Sequence, residues 1–178
     1  MNADSERQLV VTRKSLETKL ASLYSEYYDK IARYASVHIG NRTDAEDIAG
    51  DVFLKALDSL ESYEERGIPM QAWLFRIAHN LVVDYFRKTS KRKTVDIDSV
   101  TIESDKAPEA IAEVNIEIER VKKAMEQLTR EQREVLSLRF FGEFTSKETG
   151  GILGKSDGAV REMQRAATEK LRSILATD

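Results

Sequence analysis

The sequence predicts an all-α protein: two small helical domains joined by a linker, the second a helix-turn-helix domain. Three observations carry this. Apolar residues recur at helical spacing through each periodic stretch. Three Ser/Thr-x-x-Glu/Gln boxes (Thr43–Glu46, Thr129–Gln132, Thr145–Glu148) mark helix starts. The periodicity fades once, from about Thr89 to Ala112, where a basic run turns acidic. Only two prolines and eight glycines occur in 178 residues, too few for a turn-rich β protein. The domains are placed at 1–89 and 113–178, with the linker at 90–112.

Residues 1–14 read as a frayed polar tail. A long helix over Ser15–Ile39 follows, with Leu16, Leu20, Leu23, Tyr24, Tyr27, Ile31, Tyr34, Ala35 and Ile39 in phase and Gly40 closing it. His38, in its last turn, suits the negative end of the helix dipole better than a metal. The box at Thr43 opens a second helix to about Leu60, with Ile48, Ala49, Val52, Phe53 and Ala56 on its apolar face. Ser62–Pro69 is a loop, because Gly67 and Pro69 break the pattern. A third helix spans Gln71–Lys88, with Leu74, Ile77, Ala78, Leu81, Val82 and Tyr85 on one face. Beyond the linker, Val114, Ile118, Val121, Met125 and Leu128 form one stripe. The boxes at Thr129 and Thr145 open two more helices, ending near Phe141-Gly142 and at Leu153-Gly154. Ser156 caps a last helix over Asp157–Ala176, with Val160, Met163, Ala167, Leu171 and Ile174 inward. A short helix, a glycine turn and a longer helix make the helix-turn-helix pattern.

Composition narrows the function. Cysteine is absent, so neither a disulfide framework nor a Cys-based metal site exists, and a reducing cytoplasm is the natural compartment. No segment has the long apolar run of a signal peptide or membrane span, so no membrane insertion is expected. Two histidines, His38 and His79, with no convergent carboxylate pair and no Walker-type phosphate loop, argue against an enzyme; no cofactor or metal is expected. Formal net charge is −3, so a nucleic-acid surface would need clustered cations. They do cluster, at Arg87, Lys88, Lys91, Arg92 and Lys93.

Three surface patterns carry the functional reading. On the third helix, Trp73, Arg76, Asn80 and Arg87 fall together at i, i+3, i+7 and i+14, away from the apolar face. An indole beside guanidinium groups can stack an unpaired base and hold its phosphate. A Trp packed under a neighbouring helix is the simpler reading of the stripe alone; the rest of the chain reverses that order. On the second helix, Asp44, Asp47, Asp51 and Asp58 form an acidic strip flanked by Leu54. Like charges on one strip repel, so stability alone would favour mixed signs. A docking strip for a basic partner, anchored by Leu54, accounts for them; a solvated face is the alternative. On the last helix, Arg161, Gln164 and Arg165 are placed to meet base edges or phosphates, with Lys155 and Ser156 in the turn near the DNA backbone. An ordinary helix-turn-helix regulator on a palindromic site would leave the tryptophan stripe and the acidic strip unexplained.

The segments LYSEYYDKIARYA, DAEDIAGDVFLKAL and QAWLFRIAHNLVVDYFRK, in that order, resemble the first conserved domain of extracytoplasmic-function (ECF) sigma factors of bacterial RNA polymerase. LTREQREVLSLRFFGEFTSKETGGILGKSDGAVREMQRAATEKLR resembles their second. The likeness covers about Leu20–Arg172. It implies a subunit that binds core polymerase, confers promoter specificity and stabilises promoter opening without chemistry of its own. It implies as partners the β′ coiled coil and β of core polymerase, promoter DNA both duplex and single-stranded, and an anti-sigma factor. Asp44, Asp47, Asp51 and Leu54 match the part that grips the coiled coil. Trp73, Arg76, Asn80, Arg87 and Lys88 match the part that reads and melts the minus-ten element. Tyr63, in the loop that captures a flipped-out base, is a candidate stacking platform. The helix-turn-helix, with Lys155, Ser156, Arg161, Gln164 and Arg165, matches the reader of the minus-thirty-five element. The linker would thread toward the polymerase cleft and RNA exit path. The chain departs from the family at Thr149 and Gly150, where an apolar residue and an alanine are usual, at Gly151, at Lys155 for an apolar turn residue, and at Ala166. Two glycines in so short a helix cost roughly 1 kcal/mol each.

Overall fold

The computed structural model describes residues 3–63, 69–93, 120–121 and 123–177, and among these there is no strand. The helices are α1 (Ala3–Ile39), α2 (Arg42–Asp58), α3 (Met70–Lys93), α4 (Arg130–Phe141), α5 (Ser146–Leu153) and α6 (Asp157–Thr177), with a 3-10 turn at Leu60–Ser62. A helical stretch around 120–126 precedes α4. Residues 64–68 and 94–119 lie outside the described residues, and with them most of the expected base-capturing loop and of the linker.

The caps follow local chemistry in most places. At α4 and α5 the Thr129 and Thr145 hydroxyls accept from the backbone N–H three residues on, while Gln132 and Glu148 reach back to the cap N–H, so both boxes form. Gly154, at φ 65°, closes α5, and Ser156 Oγ accepts from Ala159 N at 3.2 Å to start α6. The box at Thr43 does not form. Asn41, extended at φ −112° and ψ 125°, accepts from Asp44 N at 3.0 Å and starts α2 one residue before Thr43. Glu46 is drawn instead to Arg42 at 2.8 Å. Helix α1 also begins earlier than the tail reading expects, at Ala3, because no glycine or proline intervenes before Gly40. Helix α3 continues to Lys93, through residues expected in the linker.

Helices α1, α2 and α3 pack around Ile31, Tyr34, Val52, Leu60, Leu74, Phe75 and Val82, all fully buried. Among the described residues the apolar faces read from periodicity are buried or partly buried, except at Tyr24 and Val121, which are 48% and 46% exposed. In the second domain Leu128, Leu136 and Ala167 form a smaller core against α6. The two units do not stand apart. Leu138, Phe144 and Ile152 of the second belong to the first domain's core, and the Phe75 and Phe144 rings meet edge-on with centroids 5.0 Å apart.

Candidate nucleic-acid interface

The stripe on α3 emerges as a surface. Pro69, whose ring pre-sets its backbone angle, offers its carbonyl to Ala72 N and Trp73 N and so fixes where the helix starts. From that start, burying Leu74, Ala78 and Val82 turns Arg76, Asn80, Arg87 and Lys88 outward, and all four are exposed. Trp73 is half-buried. Its indole leans on the Tyr63 ring, centroids 5.0 Å apart at 45°, and packs against the first domain's core while part of its surface stays accessible. Tyr63 is itself only 9% exposed. It is therefore not the open platform that its place in the loop suggests: it is packed against the indole, and Trp73 is the more accessible ring of the pair. Arg87 pairs with Asp84 at 3.1 Å, an exposed contact that a phosphate can replace at small cost.

The acidic strip lies on α2 beside this stripe. Asp47, Asp51 and Asp58 are exposed. Asp44 is partly withdrawn, because the Tyr85 hydroxyl of α3 donates to its Oδ2 at 2.7 Å. Leu54 is 62% exposed, the most open apolar side chain on the helix. Leu57 and Tyr24, at 43% and 48%, extend the same shoulder, and Tyr24 is held there by edge contact with Phe53 at 4.9 Å. Neither residue follows from periodicity, which leaves Leu57 without a role and places Tyr24 on the core face of α1. The signal for Leu57 was its place one turn beyond Leu54; nothing local distinguished Tyr24. A carboxylate row edged by aliphatic and aromatic carbon suits a basic, partly apolar helix surface. Strip and stripe adjoin, for Asp58 and Asn80 line one groove of about 400 Å³ between α2 and α3.

On α6 the inward turn of Val160 and Ala167 leaves Arg161 and Arg165 exposed. Each is held by a neighbour: Arg161 by Asp157 at 2.7 Å, Arg165 by Glu162 and Glu169, both at 2.6 Å. These carboxylates raise the Arg165 pKa further and keep the guanidinium extended along the helix. Gln164 is half-buried, its amide oxygen accepting from Arg139 Nε at 3.0 Å. Its amide N–H group stays oriented as a donor by that contact. Ser156 is occupied as the α6 cap, and Lys155 reaches Glu131 at 2.8 Å.

Behind these surfaces lies a polar cluster between the domains. Glu134 of α4 is 3% exposed. The Tyr34 hydroxyl donates to its Oε2 at 2.6 Å, His79 Nδ1 lies 3.2 Å from Oε1, and His38 Nε2 lies 3.8 Å from Oε2. Burial would raise the Glu134 pKa, but the bonds from His79 and Tyr34 and the adjacent His38 outweigh it and hold the carboxyl below its usual value. His38 is 5% exposed, and burial is the main cause lowering its pKa to about 4. It is therefore neutral and sealed, and the expected dipole role is set aside: an uncharged ring has nothing to offer the helix terminus.

Comparison with known proteins reports on these parts together. The Sigma-70 region 2 family matches residues 23–92, and the Sigma-70 region 4 family matches residues 124–173. An ECF RNA polymerase sigma factor of Streptomyces griseus, ShbA, is 34% identical over 72% of this chain and 70% of its own. The chain belongs to the ECF RNA polymerase sigma factors. A second ECF sigma factor, BldN of Streptomyces coelicolor, is 30% identical over 88% of this chain, which spans 60% of that relative's length. Among solved structures, CnrH in complex with the cytosolic domain of CnrY shares the fold at TM-score 0.71 and 23% identity, covering 96% of each chain. The sigma factor RpoE in complex with the anti-sigma factor NepR from Bartonella quintana shares it at TM-score 0.65, with 99% of each covered. In this sigma factor the region 2 match holds the acidic strip and the Trp73 stripe, and the region 4 match holds the helix-turn-helix. No described helix is long and apolar enough to cross a membrane.

Proposed function

We propose that this sigma factor docks on core RNA polymerase through Asp47, Asp51, Leu54, Leu57 and Tyr24, reads the minus-thirty-five element with α6, and traps unpaired minus-ten bases on Trp73, Arg76, Asn80, Arg87 and Lys88. Asp44 orients the strip through Tyr85. The observation that carries this reading is the partly exposed indole, packed against Tyr63 and flanked by outward cations. A ring already fixed by packing loses little freedom when a base stacks on it. Base–aromatic stacking is worth about 1–3 kcal/mol per base, enough to hold a strand-separated state once flanking phosphates are neutralised. Opening then needs no nucleotide hydrolysis, and the protein performs no chemistry itself. It works where polymerase works, in the cytoplasm. A separate protein that covers these faces, an anti-sigma factor, would hold it inactive.

The test separates docking from opening. Trp73→Ala should leave co-purification with core polymerase intact and reduce permanganate reactivity of promoter thymines about tenfold or more, the loss of one to two stacked bases. Equal loss of both activities would contradict the assignment. Asp47→Lys with Asp51→Lys should abolish co-purification; undiminished association would make the strip a solvated face.

A further inference from the structure

We propose that Glu162 and Glu169 are specificity-determining residues of the upstream reader: together they hold Arg165 for a guanine edge in the major groove and withhold it from phosphate. This rests on the reading of α6 as the minus-thirty-five helix, and adds two carboxylates to which that reading gives no role.

Helix geometry puts these residues on the outward ridge of α6. Val160 and Ala167 are fully buried and mark the inward line of the helix. Glu162 and Glu169, each two residues further on, lie about 200° around from them and mark the outward line. Both are exposed, and Arg165 stands exposed between them. Gly158, Ala159 and Ala166, three or four residues from Glu162, are its surface neighbours. All three are small, so the helix can come close to base edges there. A reading helix enters the groove with its N-terminal part, where Glu162 and Arg165 lie.

The hydrogen bonds fix what Arg165 has left to read with. Its Nε and Nη2 donate to the two oxygens of Glu162, at 3.1 and 2.6 Å, and its Nη1 donates to Glu169 Oε1 at 2.6 Å. A guanidinium has five N–H donors. Three are engaged, and the two that remain sit one on each terminal nitrogen. Two adjacent donors match O6 and N7 of guanine. Adenine offers an acceptor and a donor in the major groove, thymine an acceptor and a methyl, cytosine a donor. Charge argues against a phosphate as the target. Arg165 with its two carboxylates carries a net charge of −1, and Arg161 is matched by Asp157 at 2.7 Å. From Asp157 to Arg165 the helix holds two cations and two anions. A phosphate gains little from a cation flanked by two anions, and both carboxylates repel it. An uncharged base edge meets no such repulsion. Exposed ion pairs of this kind add little to stability, so a purely structural role leaves the second carboxylate unaccounted for.

The test is transcription by the full chain assembled with core polymerase, on a template library randomised over the minus-thirty-five element. The wild type should favour a G·C pair at one position by about fivefold or more, the discrimination of one bidentate contact. Arg165→Lys keeps the charge but lacks the paired donors, and should erase that preference while leaving the other positions as they are. Glu162→Gln with Glu169→Gln keeps size and helix propensity and frees the guanidinium. Assembled with core polymerase, this double variant should bind promoter duplex more tightly than the wild type. Its log affinity should fall with log salt more steeply by about 0.9, the slope of one added phosphate contact. Its guanine preference should fall about threefold, the order expected when one side chain is no longer held in place. Tighter binding with weaker discrimination cannot come from a destabilised helix, because both would then fall. A double variant that binds no tighter or keeps the full preference, or an Arg165→Lys variant that keeps it, would overturn the role of the two carboxylates and leave α6 as the reader. A wild-type library with no preferred base anywhere in the element would overturn the reading of α6, and this inference with it.

Discussion

Two buried side chains carry separate consequences at the level of single residues. Thr149 stands where the family has an apolar residue; it is fully buried, and its hydroxyl has no partner in the structure. An unpaired buried hydroxyl costs about 1–3 kcal/mol. Thr149→Val keeps the shape and removes the oxygen, so it should raise the urea midpoint, stabilising the protein by roughly 1 kcal/mol with an unchanged m-value. His38 gives a pH dependence. Its pKa falls to about 4 in the fold chiefly through burial, with Arg133, Arg130 and His79 adding to the fall and Glu134 opposing it. Between pH 6.5 and about 4 the unfolded chain binds a proton that the folded chain refuses. Stability is therefore complete above pH 6.5 and lost as pH falls toward 4, by roughly 3 kcal/mol across the window. Glu134, also held low, loses its contribution only below its ordinary value of 4.5, so the upper part of the window belongs to His38. Denaturation at pH 7 and pH 5 should show the loss in the wild type and little of it in His38→Gln.

The helices show which constraints sequence carries. Helix α5 looked weak on account of two adjacent glycines, yet they differ. A Cβ on Gly150 would lie 2.4 Å from the Lys155 carbonyl oxygen, so the turn closes only over glycine there. A Cβ on Gly151 would meet nothing. Gly151→Ala should stabilise by about 1 kcal/mol, and Gly150→Ala should destabilise by about 1–3 kcal/mol although alanine is the better helix former. Thermal melts of the two variants should move in opposite directions. Caps at Thr129, Thr145 and Ser156 were legible because each depends on residues three apart. The box at Thr43 misled because Asn41, two residues earlier, caps the helix by accepting from Asp44 N, which places Thr43 inside the first turn. Periodicity gave the inward faces and so, by subtraction, the outward stripe and strip. It could not give the partner of an outward face. Phe75, His79 and Phe86 already sit at i, i+4 and i+11 on α3, but only a second domain explains why an edge with two rings and an imidazole is buried at Phe75 and partly buried at His79 and Phe86. Tyr63 is a case of the same kind: a loop position does not say whether a ring stands open or, as here, packs against a neighbour.

A shared core makes a statement about the whole molecule that neither domain makes alone. Leu138, Phe144 and Ile152 are buried against the first domain, while the second keeps a core of its own as small as Leu128, Leu136 and Ala167. Separating the units exposes apolar surface on both sides and strips Glu134 of its partners, so the second unit borrows stability from the first. The free chain should then unfold in one transition, with calorimetric and van't Hoff enthalpies in agreement. Weakening the contact without touching either core uncouples them: in Tyr34→Phe with His79→Ala, the second domain should melt first and the first domain afterwards. Near-ultraviolet signal from Trp73, which lies in the first domain, would then follow the later step, while far-ultraviolet helicity records both. Two well-resolved transitions in the wild type would mean that the domains merely touch. One transition in both proteins would mean that apolar packing alone, with Phe75 on Phe144 at its centre, holds the units together and the hydrogen-bonded carboxylate adds nothing.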